Sequence, residues 1–190
     1  NKRARHNLCF AEQAQEPDYT KGKGRVVAFS SVPLLQQLRS KIPEFLGTKG
    51  ENLLAEGNYY YDVTKCGIGF HGDAERKKVV GIRMGSTLPL HYQWFSGSKP
   101  IGRRCELQLS HGDLYVMSEK ATGNDWKKKK ILTLRHAAGC KKFLTIKGQT
   151  VAAGEKRASS SAAENCTEEQ VEQQNKKIKC ASITVKEERE

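Results

Sequence analysis

Between Val79 and Met117 the chain reads VVGIRMGSTLPLHYQWFSGSKPIGRRCELQLSHGDLYVM. Four short runs rich in β-branched, aromatic and aliphatic residues stand out: Val79–Met84, Leu90–Phe95, Cys105–Leu109 and Leu114–Met117. Gly85-Ser86, Ser96-Gly97-Ser98-Lys99-Pro100 and His111-Gly112-Asp113 separate them, and turn residues between such runs mark antiparallel strands. Tyr59–Tyr61 precedes the set, and Ile131–Arg135 and Phe143–Ile146 follow it. Strands repeating every ~8–15 residues, with no helical period between them, predict a sandwich or barrel and argue against a parallel α/β sheet. Upstream, Gly24–Phe29 reads as a strand. Ser30-Ser31-Val32-Pro33 then opens an amphipathic helix over 32–41 that carries Leu34, Leu35 and Leu38, with Ile42 in step. One helix before such a strand set predicts a mainly β fold: a double-stranded β-helix (jelly roll) with one or two supporting N-terminal helices.

With 190 residues there is room for one domain of ordinary size. Residues 1–23 read as an irregular basic N-terminal segment, 24–150 as the jelly-roll domain and 151–190 as a flexible polar tail. After Gly154 large apolar residues nearly vanish, and Ile183-Thr184-Val185 reads as a strand without local support. The net charge is +12, yet 151–190 hold seven basic and eight acidic residues, so 1–150 carry +13. A basic folded unit suits a polyanionic partner, nucleic acid first, though generic solubility charge gives the same composition. No apolar run approaches the ~18–20 residues of a membrane span, and Asn1–His6 lacks the apolar stretch of a signal peptide. The six cysteines show no Cys-x-x-Cys pair. Reduced thiols, no zinc and a nuclear or cytoplasmic location are therefore expected.

The sharpest motif is Cys66-Gly67-Ile68-Gly69-Phe70-His71-Gly72-Asp73. A His and an Asp two apart at a strand end put an imidazole and a carboxylate on one edge of a metal. The non-haem iron(II) oxygenases complete that set with a second His, leaving three positions open. His-Gly-Asp also makes a good turn, and it recurs at His111-Gly112-Asp113. Of the downstream histidines, His91 follows Asp73 too soon for the chain to cross the fold and return, and His111 occupies a hairpin corner. His136 remains as the second imidazole. An oxygenase of this kind also needs a cation for the distal carboxylate of 2-oxoglutarate on a later strand. Lys147 takes that role, with Lys142 as the runner-up, and an ordinary surface lysine is the competing reading for both.

Over roughly Asn58 to Lys147 the sequence resembles the AlkB-like branch of the iron(II)/2-oxoglutarate dioxygenases. Asn58-Tyr59-Tyr60, followed by His71-Gly72-Asp73, is similar to the family's Asn-x-Tyr and His-x-Asp pair, with a slightly longer spacing. Leu109-Ser110-His111-Gly112-Asp113-Leu114-Tyr115-Val116-Met117 resembles its L-x-x-G-D strand. The resemblance implies that Asn58 and Tyr60 touch 2-oxoglutarate. It further implies a metal centre of His71, Asp73 and His136 holding iron(II), with 2-oxoglutarate and dioxygen as cosubstrates and no catalytic residue beyond that centre. Leu132-Thr133-Leu134-Arg135 resembles the family's closing N-L-T-F-R strand, a register that makes Arg135 the cosubstrate cation but leaves no second His after His111 and before residue 131. The register with His136 on the metal and Lys147 on the cosubstrate is preferred.

The expected activity is hydroxylation or demethylation of a methylated base in nucleic acid, as in DNA repair. Lys127–Lys130 suits phosphate contact, and Tyr92, Trp94 and Trp126 suit base stacking. The lysine run equally reads as a solvated hairpin edge. Alternatives are a 2-oxoglutarate hydroxylase of a protein side chain or small molecule, and a non-catalytic basic jelly-roll binding module. Lys2-Arg3-Ala4-Arg5 and Val185-Lys186-Glu187-Glu188, which resemble a nuclear address and an acceptor for small ubiquitin-like modifiers, lean toward the nucleus.

Overall fold

The computed structural model describes residues 5–146 and, as backbone, residues 180–186. Among the described residues ten strands form two sheets. The first has six strands: β1 (His6–Ala11), β2 (Val26–Ala28), β3 (Leu54–Tyr60), β5 (Val79–Gly85), β8 (Leu114–Met117) and β10 (Cys180–Lys186), in the order β2-β1-β3-β10-β5-β8. The second has β4 (Gly67–His71), β6 (Leu88–Ser96), β7 (Lys99–Leu109) and β9 (Leu132–Gly139), in the order β4-β9-β6-β7. Among the described residues only the β1–β2 pair is parallel. The mainly β expectation holds, and the hairpin of β6 and β7 closes at Gly97, which adopts φ 59°.

Period-2 alternation sets the layers. Tyr60, Val79 and Met117 of the first sheet meet Leu88, Leu90, Leu109 and Ala138 of the second in one buried cluster. On the other face of the first sheet, Ala55 and Val80 pack against Phe29, Leu35, Ile42 and Leu53. Leu35 and Ile42 belong to α1 (Pro33–Leu46), a single helix laid across the outside of that sheet. It starts with Pro33 in its first turn, where the missing N–H costs nothing, and runs past the expected end at 41 with Pro43 inside it. No helix among the described residues is long and apolar enough to cross a membrane.

Three expectations need correction. The segment 1–23 is not irregular throughout: His6–Ala11 pairs with both β2 and β3. The segment 151–190 is not a tail throughout either, because Cys180–Lys186 inserts between β3 and β5 and pairs with each over seven residues. The support that Ile183–Val185 lacked locally comes from strands about a hundred residues away. Finally, Phe143–Ile146 is not a strand. After the short α2 (Glu119–Thr122), Lys141–Leu144 form a helical turn, α3, whose Leu144 is buried.

Candidate metal centre

His71 ends β4 and pairs directly with His136 in the middle of β9, across a bulge between Ile68 and His71. Neighbouring antiparallel positions share a face, so the two rings meet with centroids 4.4 Å apart. Asp73 follows two residues on, its backbone N–H donating to the Thr122 carbonyl (2.8 Å). Gly72 between them is sterically required: a Cβ there would lie 2.1 Å from the Gly123 carbonyl oxygen and 2.7 Å from Trp126. The ligand atoms of His71, Asp73 and His136 all lie within 4.8 Å of one another.

The hydrogen bonding explains what this cluster is prepared for. His71 Nδ1 donates to the Gly69 carbonyl at 2.8 Å, which leaves a lone pair on Nε2. That nitrogen faces Asp73 Oδ1 at 3.5 Å, while His136 Nε2 faces Asp73 Oδ2 at 3.7 Å. Burial, reinforced by the neighbouring His71, pushes the His136 imidazole down to about 4 against the opposing pull of Asp73. It is therefore neutral near pH 7. Burial raises the Asp73 carboxyl, but the His71 contact and the charge of Arg76 outweigh it and hold the group at about 2. The His71 Nε2 lone pair, the neutral His136 imidazole and an ionised carboxylate thus turn toward one point. Acceptors facing each other repel unless a cation sits among them, so this donor set fits a divalent metal bound on one face.

Behind Asp73 stands a buried network that sequence reasoning missed. Arg76 donates to Asp73 Oδ2 (3.1 Å) and to Glu56 Oε2 (2.6 Å), and Asn7 donates to Glu56 Oε1 (2.7 Å). Thr122 Oγ1 donates to the Arg76 carbonyl, fixing its backbone (2.8 Å). The centre opens into a cavity of about 210 Å³ between the sheets, lined among others by Asn58, Tyr60, Arg76, Arg83 and Tyr115. Inward positions of β5 are Val79, Gly81 and Arg83. A charged residue in the inward phase of a strand is the signal that could have found Arg83, which the sequence reading missed.

The other expected residues fall out as follows. Asn58 and Tyr60 line the cavity with the metal centre. Tyr92 pairs with His136, its ring centroid 6.1 Å away, and burial pushes its phenol pKa up. Trp94 lies two residues further along the same face, 38% exposed, with Lys120 Nζ 5.6 Å from its ring. Trp126 packs on Gly72, and its buried Nε1 makes no hydrogen bond. Arg135 does not reach the cavity. Alternation turns it to the face opposite His136, where it donates to the Gly97 carbonyl (2.6 Å) and stacks over Phe95 (4.1 Å). Lys142 sits on α3 above the Phe143 ring, outside the cavity, and Lys147 lies outside the described residues. His91 and His111 stand apart, His91 near Glu106 (3.9 Å) and His111 accepting from the Gly85 N–H (3.0 Å).

Fold and site together define a two-sheet β protein with a His/Asp/His cluster of metal-binding geometry at the mouth of an inter-sheet cavity. No protein-family model matches the chain. It is 58% identical over 144 residues to an uncharacterized protein of Acanthamoeba polyphaga mimivirus, a match covering 76% of this chain and 56% of the viral protein. The chain thus spans little more than half the length of that relative.

Proposed function

We propose that the protein is an iron(II)- and 2-oxoglutarate-dependent dioxygenase of the AlkB-like kind, acting on a methylated base in nucleic acid. One observation carries the reading: two imidazoles and a carboxylate converge within 4.8 Å, with the His71 tautomer set by Gly69 so that its lone pair faces the same point. Two His and one carboxylate with an open face are the ligand set of non-haem iron(II) oxygenases. The strand order supports a jelly roll. From β3 to β10 the chain alternates between the sheets, with β6 and β7 the one consecutive pair in the same sheet.

With iron(II), 2-oxoglutarate and dioxygen bound, such a centre couples decarboxylation of 2-oxoglutarate to succinate with hydroxylation of a substrate C–H bond, and on an N-methyl group the product sheds formaldehyde. The residues of this chain would prepare the site for it. His71, Asp73 and His136 would hold the metal, at a centre that opens into the cavity. Arg76 and Glu56 fix the Asp73 carboxylate, while Asn58 and Tyr60 offer polar groups beside it. Tyr92 and Trp94 form an aromatic strip leading outward from His136, suited to stacking a base. The charge of +13 on residues 1–150 suits its phosphates.

The test is anaerobic. Iron(II) and 2-oxoglutarate added to the purified protein should give the visible charge-transfer band of the chelate, and His136→Ala should abolish it. No band in the parent protein would sink the dioxygenase reading and leave a basic binding module. Affinity for single-stranded oligonucleotides should fall steeply with salt, and a flat response would redirect the search to protein or small-molecule substrates.

A further inference from the structure

His91 stands in the outward phase of β6. It pairs with Ala137, the neighbour of His136 on β9, so alternation turns it to the face of the second sheet opposite the metal centre. An outward position commonly meets water, yet His91 is only 7% exposed, and its buried Nδ1 has no hydrogen-bond partner among the described residues. Oε1 of its cross-strand neighbour Glu106 lies 3.9 Å away, beyond hydrogen-bond reach. A buried polar atom left in that state calls for a partner.

Both residues line a cavity of about 500 Å³ on that outer face, more than twice the 210 Å³ of the one at the metal centre. Small-molecule sites occupy roughly 300–1,000 Å³. The β6–β7 pair forms one side of the cavity, with Pro89 opposite Gln108 and His91 opposite Glu106. α3 and the two residues after it form another, which Arg104 ties to β7 by donating to the Leu144 carbonyl (2.9 Å). Val63, Pro89, Leu144 and Ile146 supply apolar surface.

The chemistry of these walls narrows the ligand. Burial, together with the charge of Arg104, lowers the His91 pKa against the pull of Glu106, so the ring is neutral near pH 7 and holds one proton. Either ring nitrogen can carry that proton. A hydroxyl donates or accepts as required, so one oxygen of a vicinal diol satisfies Nδ1 in either tautomer. The other donates to the Glu106 carboxylate, the contact by which acidic side chains hold a ribose. Arg104 and Lys141 against Glu106 leave the cavity one positive charge in excess, which suits an anionic group on the ligand. The apolar side chains suit the faces of a ring. A ribonucleotide carries a diol, an anion and a ring together.

We infer that the cavity on the outer face of the second sheet is a binding site for a ribonucleoside monophosphate, with its ribose diol on His91 and Glu106, its base on the apolar wall and its phosphate toward Lys141. The site lies on the far side of β6 and β9 from the metal centre and does not rest on the dioxygenase reading.

The experiment is calorimetric titration of the chelator-treated protein with AMP, GMP, CMP and UMP, and with the 2′-deoxy form of whichever binds. At least one ribonucleotide should bind with a Kd of about 0.1 mM or below. Its deoxy form, which lacks the diol, should bind ~10-fold more weakly or worse, the range of a lost hydrogen bond to a charged group. His91→Phe, which keeps a ring of similar size, and Glu106→Ala should each weaken binding by a similar factor, and Lys141→Ala should weaken it severalfold. Glu106 lies at the exposed rim, so its variant decides the matter if His91→Phe does not fold. His136→Ala should bind the ribonucleotide as the parent does. Failure of all four nucleotides to bind below about 1 mM, equal affinity for the ribo and deoxy forms, parental affinity in Glu106→Ala, or loss in His136→Ala alone would each overturn the assignment. All four outcomes leave the charge-transfer test of the metal centre untouched.

Discussion

Replacing Arg76 with Met removes one guanidinium from between two buried carboxylates and keeps most of its hydrophobic volume. The side chains of Arg76 and Asp73 are each 12% exposed and that of Glu56 is 9% exposed, so the charges left behind have little access to water. Breaking a buried ion pair from one side costs about 3–5 kcal/mol. The Asn7 contact to Glu56 remains as partial compensation, which places the expected loss near the lower end, about 3 kcal/mol at pH 7. For a domain of this size that is a large share of the total stability.

The pH dependence gives an independent reading of the same network. Asp73 has its folded pKa lowered to about 2 from 3.8. A depressed carboxyl stabilises the fold above the unfolded pKa, and that stability is lost as pH falls from about 4 toward 2. The shift is worth roughly 2 kcal/mol. Arg76→Met should shrink this acid-sensitive step, because the Arg76 charge is among the causes of the shift. Urea unfolding in chelator, at pH 7 and at intervals down to pH 3, measures both effects. Adding a divalent metal should then restore more stability to the variant than to the parent, since the ion replaces the missing positive charge beside Asp73. A variant that loses less than about 1 kcal/mol, or that gains no more from metal than the parent does, would refute the reasoning.

Three further outcomes follow from the fold and the centre. Gly72→Ala places a methyl group 2.1 Å from the Gly123 carbonyl and must shift Asp73; cobalt(II) binding, followed by its visible spectrum, should weaken ~10–100-fold, and parental affinity would exclude the contact. Ending the chain after Ile146 removes β10 and leaves β3 and β5 with unpaired facing edges; such a chain should be insoluble or unfold without cooperativity, whereas ending it after Lys186 should leave the urea transition unchanged. His136 has its folded pKa depressed to about 4, so between about pH 6.5 and 4 the unfolded chain takes up a proton that the folded chain refuses, and stability falls on acidification by roughly 3 kcal/mol. In metal-free His136→Gln that slope should flatten over the same window, and an unchanged slope would assign the loss to another group.

What was legible in the sequence divides along the range of the interactions. The strands from Val79 to Met117 are announced by period-2 alternation and by turns of Gly, Pro and Asp, all local signals; they form near where that pattern places them, except that β7 starts at Lys99, six residues before the expected Cys105. The pairing of His71 with His136 was reached by elimination, but the reason given for His91 does not hold: β6 returns to lie beside β9, and it is alternation that turns His91, paired with Ala137, away from the face of His136. β10 was readable only as an unsupported Ile183–Val185, since its seven residues gain their partners only when β3 and β5 already flank the gap between them. Phe143–Ile146 failed for the opposite reason: apolar content suggested a strand, but tertiary packing of Leu144 decided a helical turn. Arg135 shows the same limit at the level of one side chain. The resemblance of Leu132–Arg135 to the family's closing strand made it a cosubstrate cation, yet adjacent strand positions point to opposite faces, so a residue next to a metal ligand is the one that alternation keeps out of the site. By that rule a cavity cation belongs in phase with inward residues, as Arg83 is with Val79 and Gly81 on β5. The phase of a strand, more than proximity in sequence to a motif, therefore determines which charged residues can serve the centre.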